Sequence, residues 1–278
     1  MTYCAKGVES DTLVIHTGEG GANPTLALAW QRQIRDRKAR ERATDLFGDR
    51  WASFPFHRSN ARVEPLTYAA AKPLILEYEW LGTMPSQLTQ AFGLYFDGTL
   101  SAVECFTDTR PAGHYTVAGQ QAICLARGAS AYWCPPWASS FLIAQCLRRL
   151  DAEKYAYCVA YSDTEAGEIG TVYQASNWVC LGPVSRGNKY WRSPDGKRHD
   201  HERPRSIARS RDPEFATKKT LNRIIVNTIR DEMVAEGWQH ITGGRRYRYA
   251  YALGRTSHQR AERRAHLDGV PFPKRGVL

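Results

Sequence analysis

Apolar and polar positions alternate in blocks through the middle of the chain, and these blocks predict a strand, a helix and a second strand. Residues 121–127 form a short apolar run that leads into a glycine, which favours a strand. Between residues 137 and 150, apolar side chains recur near helical spacing, and the two prolines before them suit a first helical turn. Residues 155–161 are rich in aromatic residues and stop at Ser162-Asp163. They predict a buried strand, followed by a short helix and an aromatic strand.

A β-hairpin is predicted upstream of these elements. Residues 91–96 and residues 99–106 are two apolar runs, and Asp97-Gly98 lies between them. This pair favours a type I′ turn, because both of its positions need a positive φ. Near the start of the chain, residues 24–45 contain helix-forming residues and many charges but only a thin apolar stripe. That pattern indicates a partly helical segment.

The last third of the chain combines three patterns. Residues 216–236 keep their apolar side chains on one face, which predicts an amphipathic helix. Residues 243–253 alternate Arg with Tyr at the start, which predicts a strand with one charged face. Residues 191–211 mix Arg, His, Ser, Pro and Asp with little periodicity. We predict a loop there that orders against the substrate or the sheet, with a solvated linker as the alternative.

Length and composition are typical of a compact soluble protein. The chain has 278 residues, of which 42% are hydrophobic and 24% charged, enough for one sizeable domain or two modest ones. No apolar run is long enough to cross a bilayer, and the first residues lack the features of a secretory signal. We therefore expect no membrane partner and a cytoplasmic location. The seven cysteines are scattered, with no C-x-x-C pair, so they indicate neither a zinc site nor a disulfide framework.

Positive charge is concentrated in the last third. The net charge of the chain is +10, and residues 183–278 contain 22 Lys and Arg against 10 Asp and Glu. A nearly neutral first part joined to a basic last part favours a polyanion as partner, because contacts to phosphates supply most non-specific affinity. Arg245, Arg246 and Arg248 are the predicted phosphate contacts. The alternative is a charged edge strand that discourages aggregation.

Asp163 is the first candidate for chemistry. It lies at the carboxyl end of a predicted buried strand, and two glycines and Tyr173 follow it within ten residues. Ligands of open α/β sheets bind outside such strand ends, so the position is suited to an active site. The alternative interpretation is that Asp163 only caps the following helix, since Asp is common at helix starts.

The order of the predicted elements resembles that of acyltransferases of the GNAT superfamily. This resemblance implies an α/β fold with a mixed central sheet and flanking helices, in which two neighbouring parallel strands splay apart. The gap between them would hold acetyl-CoA or a related acyl donor, with backbone amides and the next helix N-terminus on its pyrophosphate. Residues 127–130 and the turn before Trp137 would occupy that place. The usual Gln/Arg-x-x-Gly-x-Gly/Ala loop is only partly present.

A narrower resemblance is to the phage Mom DNA-modification family. It rests on residues 78–85, residues 160–163, the segment Gly170-Thr-Val-Tyr-Gln-Ala-Ser-Asn-Trp178 and a late Phe272-Pro-Lys274. Members of that family are GNAT-like enzymes that convert adenines in phage DNA to a carbamoylmethylated form, which shields the genome from host restriction nucleases. The resemblance implies double-stranded DNA as the partner and iron as a candidate cofactor.

The candidate site residues come from these two resemblances and from the charge and aromatic patterns. Tryptophans are included because a target base leaves the duplex and stacks in the site. The catalytic candidates are Asp163, Tyr173, Tyr95 and Glu79; the candidates on the cofactor side are Arg127, Gly128, Ser139 and Ser140; and the candidates for contacting nucleic acid are Trp80, Trp178, Arg245, Arg246 and Arg248.

Glu79 marks a departure from the Mom pattern. Many members of the family carry His-Tyr where this chain has Glu79-Trp80, so a carboxylate replaces an imidazole. Either group accepts a proton or binds iron. The alternative interpretation of residues 78–85 is a helix end, with Gly82 as the terminator. Both interpretations can hold together.

We therefore expect three parts and one main function. Residues 1–62 form a partly helical extension, residues 63–184 a GNAT-like catalytic core, and residues 185–278 a basic part that completes the core and contacts DNA. The expected function is addition of a carbamoylmethyl-type group to adenine N6 in DNA. The alternatives are an N-acetyltransferase that uses acetyl-CoA on a small amine or a protein, and a non-catalytic DNA-binding protein on the same fold. Pairing into a homodimer is left open.

Overall fold

The computed structural model describes residues 29–43, 51–110, 113–184, 189–196, 198–216, 222–242 and 245–274. The helices within them are α1 (Trp30–Ala43), α2 (Tyr68–Tyr78), α3 (Ala138–Leu147), α4 (Thr171–Ala175), α5 (Arg203–Arg211), α6 (Pro213–Ala216), α7 (Arg223–Ala235) and α8 (Ser257–Ala265). The strands are β1 (Arg62–Pro65), β2 (Gln90–Phe96), β3 (Thr99–Thr107), β4 (Thr109–Arg110), β5 (Gly113–Val117), β6 (Gln120–Ser130), β7 (Tyr157–Asp163), β8 (Val179–Val184), β9 (Lys189–Arg192), β10 (Arg198–Asp200), β11 (Gln239–Thr242) and β12 (Arg246–Ala252).

The main sheet is mixed, and its strand order is β1-β2-β3-β6-β7-β12-β8, with the β4–β5 pair beside the start of β6. Of these neighbours, β6 and β7 run parallel, whereas the others run antiparallel. The parallel pairing is short, because it extends only from Ala122 opposite Tyr157 to Cys124 opposite Val159. Beyond it, β6 continues to Ser130 and β7 to Asp163 without pairing to each other. The two strands therefore diverge, as the resemblance to GNAT acyltransferases implies.

The predicted hairpin is confirmed. β2 and β3 pair antiparallel on either side of Asp97-Gly98. Asp97 has φ 46° and Gly98 has φ 70°, and positive values at both positions define the type I′ turn that this dipeptide favours. The strands and helix predicted around residues 121–163 are also present, as β6, α3 and β7.

The core lies between the main sheet and the helices α2 and α3. Its fully buried side chains include Ile75 on α2, Leu142 on α3 and Phe106 on β3. In β7, the residues from Tyr157 to Ala160 are all fully buried, since β6 and β12 cover both edges of the strand. β12 comes from the last third of the chain, so that third contributes a central strand of the main sheet.

The prediction of a loop for residues 191–211 is wrong. This segment contains the end of β9, all of β10 and the helix α5, and β9 pairs with β10 and β11 in a separate three-stranded sheet. The apolar residues responsible are few and far apart in sequence. Trp191 and Ala208 pack with Val226, Ile229 and Met233 of α7, so this small unit has a core of its own.

Two other boundaries differ from the sequence pattern. The amphipathic helix α7 begins at Arg223, where Asn222 caps it by accepting a hydrogen bond from the Ile224 amide at 2.9 Å. Residues 217–221 of the predicted helix lie outside the described residues. Near the start of the chain, α1 supplies the predicted helix. In the described part of the chain, no helix is both long and apolar enough to cross a membrane.

Candidate active site

A cleft of about 920 Å³ lies where β6 and β7 diverge. Its walls are formed by the second half of β6, the end of β7, the turn before α4, the loop after α2 and one face of α1. The volume is near the upper end of the range for small-molecule sites, about 300–1,000 Å³. The fold therefore provides one large concave site at the carboxyl ends of its two parallel strands.

Asp163 is the last residue of β7 and lines this cleft with only 3% of its surface exposed. A 3-10 turn, Thr164–Ala166, follows Asp163 directly. The backbone carbonyl of Asp163 accepts a hydrogen bond from the Glu168 amide at 3.0 Å. The N-cap of α4 is Gly170, so Asp163 does not cap that helix. Its position is therefore compatible with the chemical role, and the capping alternative fails for α4.

Tyr173 on α4 lines the same cleft. Its ring contacts Trp178 and Tyr249, with centroids 5.2 and 5.0 Å apart. Burial raises the pKa of the Tyr173 phenol well above its usual range, so the phenol stays protonated. The turn before α4 is fixed by Tyr249, whose hydroxyl donates a hydrogen bond to the Ile169 carbonyl at 2.7 Å. Tyr249 also lies directly against Gly170, where a Cβ would overlap its ring.

Glu79 and Arg127 both line the cleft, and both hold the loop after α2. Glu79 Oε2 accepts hydrogen bonds from the amides of Leu81 at 2.8 Å and Gly82 at 3.0 Å. Arg127 Nε donates to the Thr83 carbonyl at 2.8 Å, and its other nitrogens donate to Thr83 Oγ1 and the Ala126 carbonyl. α2 ends at Tyr78 with Glu79 as its C-cap, so the segment is a helix end, but Gly82 (φ 58°) lies beyond the cap and does not terminate the helix.

The two candidate serines are placed differently. Ser139 lines the cleft, and its hydroxyl lies 2.8 Å from the hydroxyl of Ser130. Ser140 donates its hydroxyl to the Trp137 carbonyl at 3.1 Å and is not among the residues that line the cleft. Of this pair, only Ser139 is placed to meet a cofactor.

The place where an acyl-CoA pyrophosphate was expected is poor in donors. Pro135 and Pro136 precede α3 and have no N–H to offer, and the N-cap Trp137 makes no side-chain hydrogen bond. Two arginines of α1, Arg32 and Arg35, line the cleft nearby. Arg35 Nη2 donates to the Cys134 carbonyl at 2.7 Å, while its buried Nε has no partner among the described residues. The residues present therefore fit an anionic acyl donor held by side chains of α1.

The sequence analysis missed the role of α1. The helix is tied to the core by Gln31, whose side chain donates to the Gly128 carbonyl at 2.8 Å. Its apolar stripe is thin because the face turned toward the cleft is polar. The sequence signal for this role of α1 was a polar face repeated along a helix with few apolar positions.

Glu104 on β3 is the second residue that the sequence analysis missed. It is 4% exposed and lines the cleft, and its Cα partner on β6 is Gly128. A charged residue inside the apolar run of β3 was the available signal, since Glu is almost never fully buried without a partner. The spacing alone could not show that this side chain faces the cleft.

Two aromatic candidates do not lie in the site. Tyr95 faces a separate depression of about 420 Å³, where the Arg62 guanidinium lies 5.4 Å from its ring centroid. Trp178 is 1% exposed and packs against Tyr173 and Tyr251 in the core, so it has no free face for a base. The expectations for these two residues are therefore not supported. Trp80 does line the cleft, with Trp30 edge-on at 5.8 Å.

The three candidate arginines, Arg245 just before β12 and Arg246 and Arg248 on it, have different surroundings. Arg246 lines the cleft, with its guanidinium 4.7 Å from the ring centroid of Tyr161. Arg248 Nη2 donates to the Thr116 carbonyl at 2.6 Å, which ties β12 to β5. Arg245 is exposed. β12 is an inner strand, so these residues do not form a charged edge strand.

The catalytic candidates that carry hard oxygen ligands for iron are Glu79, Tyr95 and Asp163, and they do not come together. Glu79 and Asp163 line the cleft, whereas Tyr95 lies in the other depression. Among the described residues, no group of three or more His, Cys, Asp or Glu side chains could hold a metal ion. The residues present do not fit an iron site.

A mixed sheet whose two parallel strands splay around a cleft, with α3 crossing between them, defines a GNAT-like fold. The sequence model of the Mom protein family matches residues 60–274, and the chain belongs to that family. No curated protein matches the chain by sequence.

Several solved structures have a similar chain path at low identity. An acetyltransferase of Bacillus subtilis in complex with CoA has 10% identity and a TM-score of 0.37, over 70% of this chain and 99% of that one. The ribosomal-protein-S18-alanine N-acetyltransferase of Escherichia coli has 8% identity and a TM-score of 0.37, over 71% and 96%. A GNAT family acetyltransferase of Elizabethkingia anophelis with acetyl-CoA bound has 9% identity and a TM-score of 0.35, over 70% and 100%.

Proposed function

We propose that this protein is a transferase that adds a carbamoylmethyl-type group to adenine N6 in double-stranded DNA and so protects the DNA from restriction nucleases. Membership of the Mom protein family over residues 60–274 carries the proposal. Two features of the chain support it. The first is that Asp163 and Tyr173, the two catalytic candidates from the resemblance to the Mom family, line one cleft. The second is that residues 183–278 carry the positive charge that binding of a polyanion needs.

Asp163 would act as the base. The N6 amine of adenine is a poor nucleophile, because its lone pair is delocalised into the ring, so it needs to lose a proton as the new bond forms. A carboxylate at the end of β7 is positioned to take that proton. Tyr173, which stays protonated, would donate a hydrogen bond to the charge that develops. Arg127 is less suited to this role, since all three guanidinium nitrogens bond to Thr83 or Ala126.

The target base would leave the duplex before reaction. N6 is paired and stacked in double-stranded DNA, so chemistry at this atom requires a flipped nucleotide, at a cost of a few kcal/mol. Trp80 lines the cleft and offers an aromatic face for the flipped base. Arg246, also at the cleft, is placed to meet the phosphate of that nucleotide.

Arg32 and Arg35 would hold the anionic part of an acyl donor on α1. When bound, such a donor would supply an activated carbon for the new bond, and its carrier would leave with the electron pair of the bond that breaks. Simple acetyl transfer would leave an amide, whereas a carbamoylmethyl product has an N–CH2 bond, so the donor or a later step brings chemistry beyond acetyl transfer. No step here depends on iron.

The test is mass spectrometry of nucleosides from plasmid DNA of cells that express the chain. We expect a new adenosine species in cells with the wild type and none with Asp163→Asn, which keeps the shape and removes the base. Asp97→Asn is the matched control, because it makes the same chemical change at an exposed turn position where Asn tolerates the positive φ.

Two outcomes would contradict the proposal. An unchanged nucleoside profile, in cells that contain soluble wild-type protein, would favour an N-acetyltransferase for a small amine or a protein. Equal products from Asp163→Asn and the wild type would remove Asp163 from the mechanism. A non-catalytic DNA-binding protein would show no product and would keep its DNA affinity in both variants.

A further inference from the structure

Glu104 is a buried carboxyl that the reaction described so far does not use. It lies in the middle of β3, between β2 and β6, with 4% of its surface exposed, and that surface faces the cleft. Its oxygens make no hydrogen bond or ion pair with any residue in the described ranges. Buried polar groups of folded proteins are normally bonded, so an unpartnered carboxyl that faces a cavity points to a ligand.

Gly128 provides the space for this carboxyl. The two residues are Cα partners across β3 and β6, and a Cβ added at position 128 would overlap Glu104 Oε2. The carboxyl therefore lies directly over the bare backbone of the β6 wall. Asp163 ends β7, which forms the opposite wall. Glu104 and Asp163 thus lie on opposite walls of the cleft.

The surroundings of Glu104 favour the neutral form of its carboxyl. The titratable groups that interact with it electrostatically are Cys105 on its own strand, Cys146 on α3, Cys158 on β7 and Tyr173 on α4. None of them carries a positive charge. Burial raises the pKa of the Glu104 carboxyl well above its usual range, and no compensating partner lowers it. Burial therefore favours the carboxylic acid, which has one O–H to donate.

We propose that Glu104 is a catalytic residue, and that its protonated carboxyl donates a hydrogen bond to the carbonyl oxygen of the acyl donor in the cleft. This inference rests on the proposed function, because it needs a carbonyl donor. A neutral acid in an apolar site is suited to this role, since its O–H polarises the donor carbonyl without adding a buried charge. The proton stays on Glu104, so the step needs no co-reactant. Asp163 on the other wall accepts the proton of the amine.

Two substitutions separate this role from a structural one. Glu104→Gln keeps the shape, the neutral state and an N–H donor, whereas Glu104→Met keeps most of the volume and has no donor. We expect Glu104→Gln to keep the adenine product within about tenfold of the wild type and Glu104→Met to lose it by about 10²–10³-fold, the usual effect of removing one such donor. Thermal unfolding of both variants checks that the fold is intact.

Infrared spectroscopy of the purified protein tests the protonation state without any substrate. Protein labelled with ¹³C-glutamate should show the band of a protonated carboxylic acid at neutral pH, and Glu104→Gln should remove it. Absence of that band in the wild type would overturn the inference, as would equal loss of product in Glu104→Gln and Glu104→Met. A wild type that shows the band but makes no product would instead refute the proposed function, and the role of Glu104 in it.

Discussion

Glu104 makes the stability of the fold depend on pH. Burial raises the pKa of its carboxyl in the folded state, whereas the unfolded chain gives it an ordinary pKa of about 4.3. Between these two values the folded state binds more protons than the unfolded chain. The free energy of unfolding therefore falls as the pH rises from about 4.3 to the raised pKa, and changes no further above it.

Glu104→Gln should remove this dependence, because a neutral amide of the same shape replaces the titrating group. We expect the variant to match the wild type near pH 4 and to become the more stable of the two as the pH rises, by up to about 1.4 kcal/mol per pH unit between the two pKa values. Urea unfolding across this pH range measures the difference. The exposed Glu153→Gln provides the control, and parallel stability curves for wild type and Glu104→Gln would contradict the prediction.

Single residues also show how far sequence reasoning reaches. Asp163 and Tyr173 could be predicted, because a strand end and a glycine-rich turn are local patterns. Glu104 could not, because its position in the cleft depends on the register of β3 against β6, which pairs residues far apart in the chain. Trp178 has the residue type expected of a stacking platform, but its burial is decided by long-range packing.

At the scale of elements, the loop after α2 offers a test of whether Glu79 holds the loop or takes part in the reaction. Glu79→Ala leaves the Leu81 amide without its acceptor and removes one of the two acceptors of the Gly82 amide, which costs about 1–3 kcal/mol of stability. Glu79→Gln keeps an acceptor oxygen and should keep most of the stability and the adenine product. Urea unfolding and nucleoside analysis check both. A stable Glu79→Gln protein without product would instead make the carboxylate part of the chemistry.

The charged residues on and just before β12 should divide into two kinds. Arg245 is exposed, so Arg245→Ala should weaken binding to duplex DNA about equally for all sequences and reduce the salt dependence of the affinity by about one unit of slope. Arg248 bonds the Thr116 carbonyl, so Arg248→Ala should lower stability instead. Titration of labelled DNA at several salt concentrations measures the first effect. Arg149→Ala, at an exposed position just after α3, is the matched control. An equal loss of DNA affinity in this variant would show that only net charge matters.

The elements that sequence reasoning found are those with local signals, such as the β2–β3 hairpin with its Asp97-Gly98 turn. The sheet of β9, β10 and β11 escaped it, since β9 and β11 are separated by α5, α6 and α7 and their pairing has no local signature. The helix α5 has four arginines among its nine residues; Ile207 and Ala208 pack in the small core with α7, and Arg211 forms an ion pair with Glu232 of α7.

At the scale of the whole molecule, the basic last third cannot be removed as a separate module. β12 lies between β7 and β8, and the Tyr157 hydroxyl of β7 donates to the Arg263 carbonyl of α8 at 2.9 Å. A protein ended after residue 184 would expose the edge of β7, whose residues from Tyr157 to Ala160 are fully buried in the whole chain. We expect it to be insoluble or unfolded, as judged by soluble yield and thermal unfolding. A folded fragment with a cooperative transition would contradict this.

The short parallel pairing between β6 and β7 is the seam that joins two halves of the main sheet, and each half carries different groups of the site. Three residue pairs join the half that carries Glu104 to the half that carries Asp163. In the proposed reaction, the distance between the two walls of the cleft is therefore set by the packing of this pairing, near Cys124 and Val159, rather than by the residues that would meet the substrates. A change of volume at the seam would alter the rate by moving donor and acceptor apart, with every group of the site still in place.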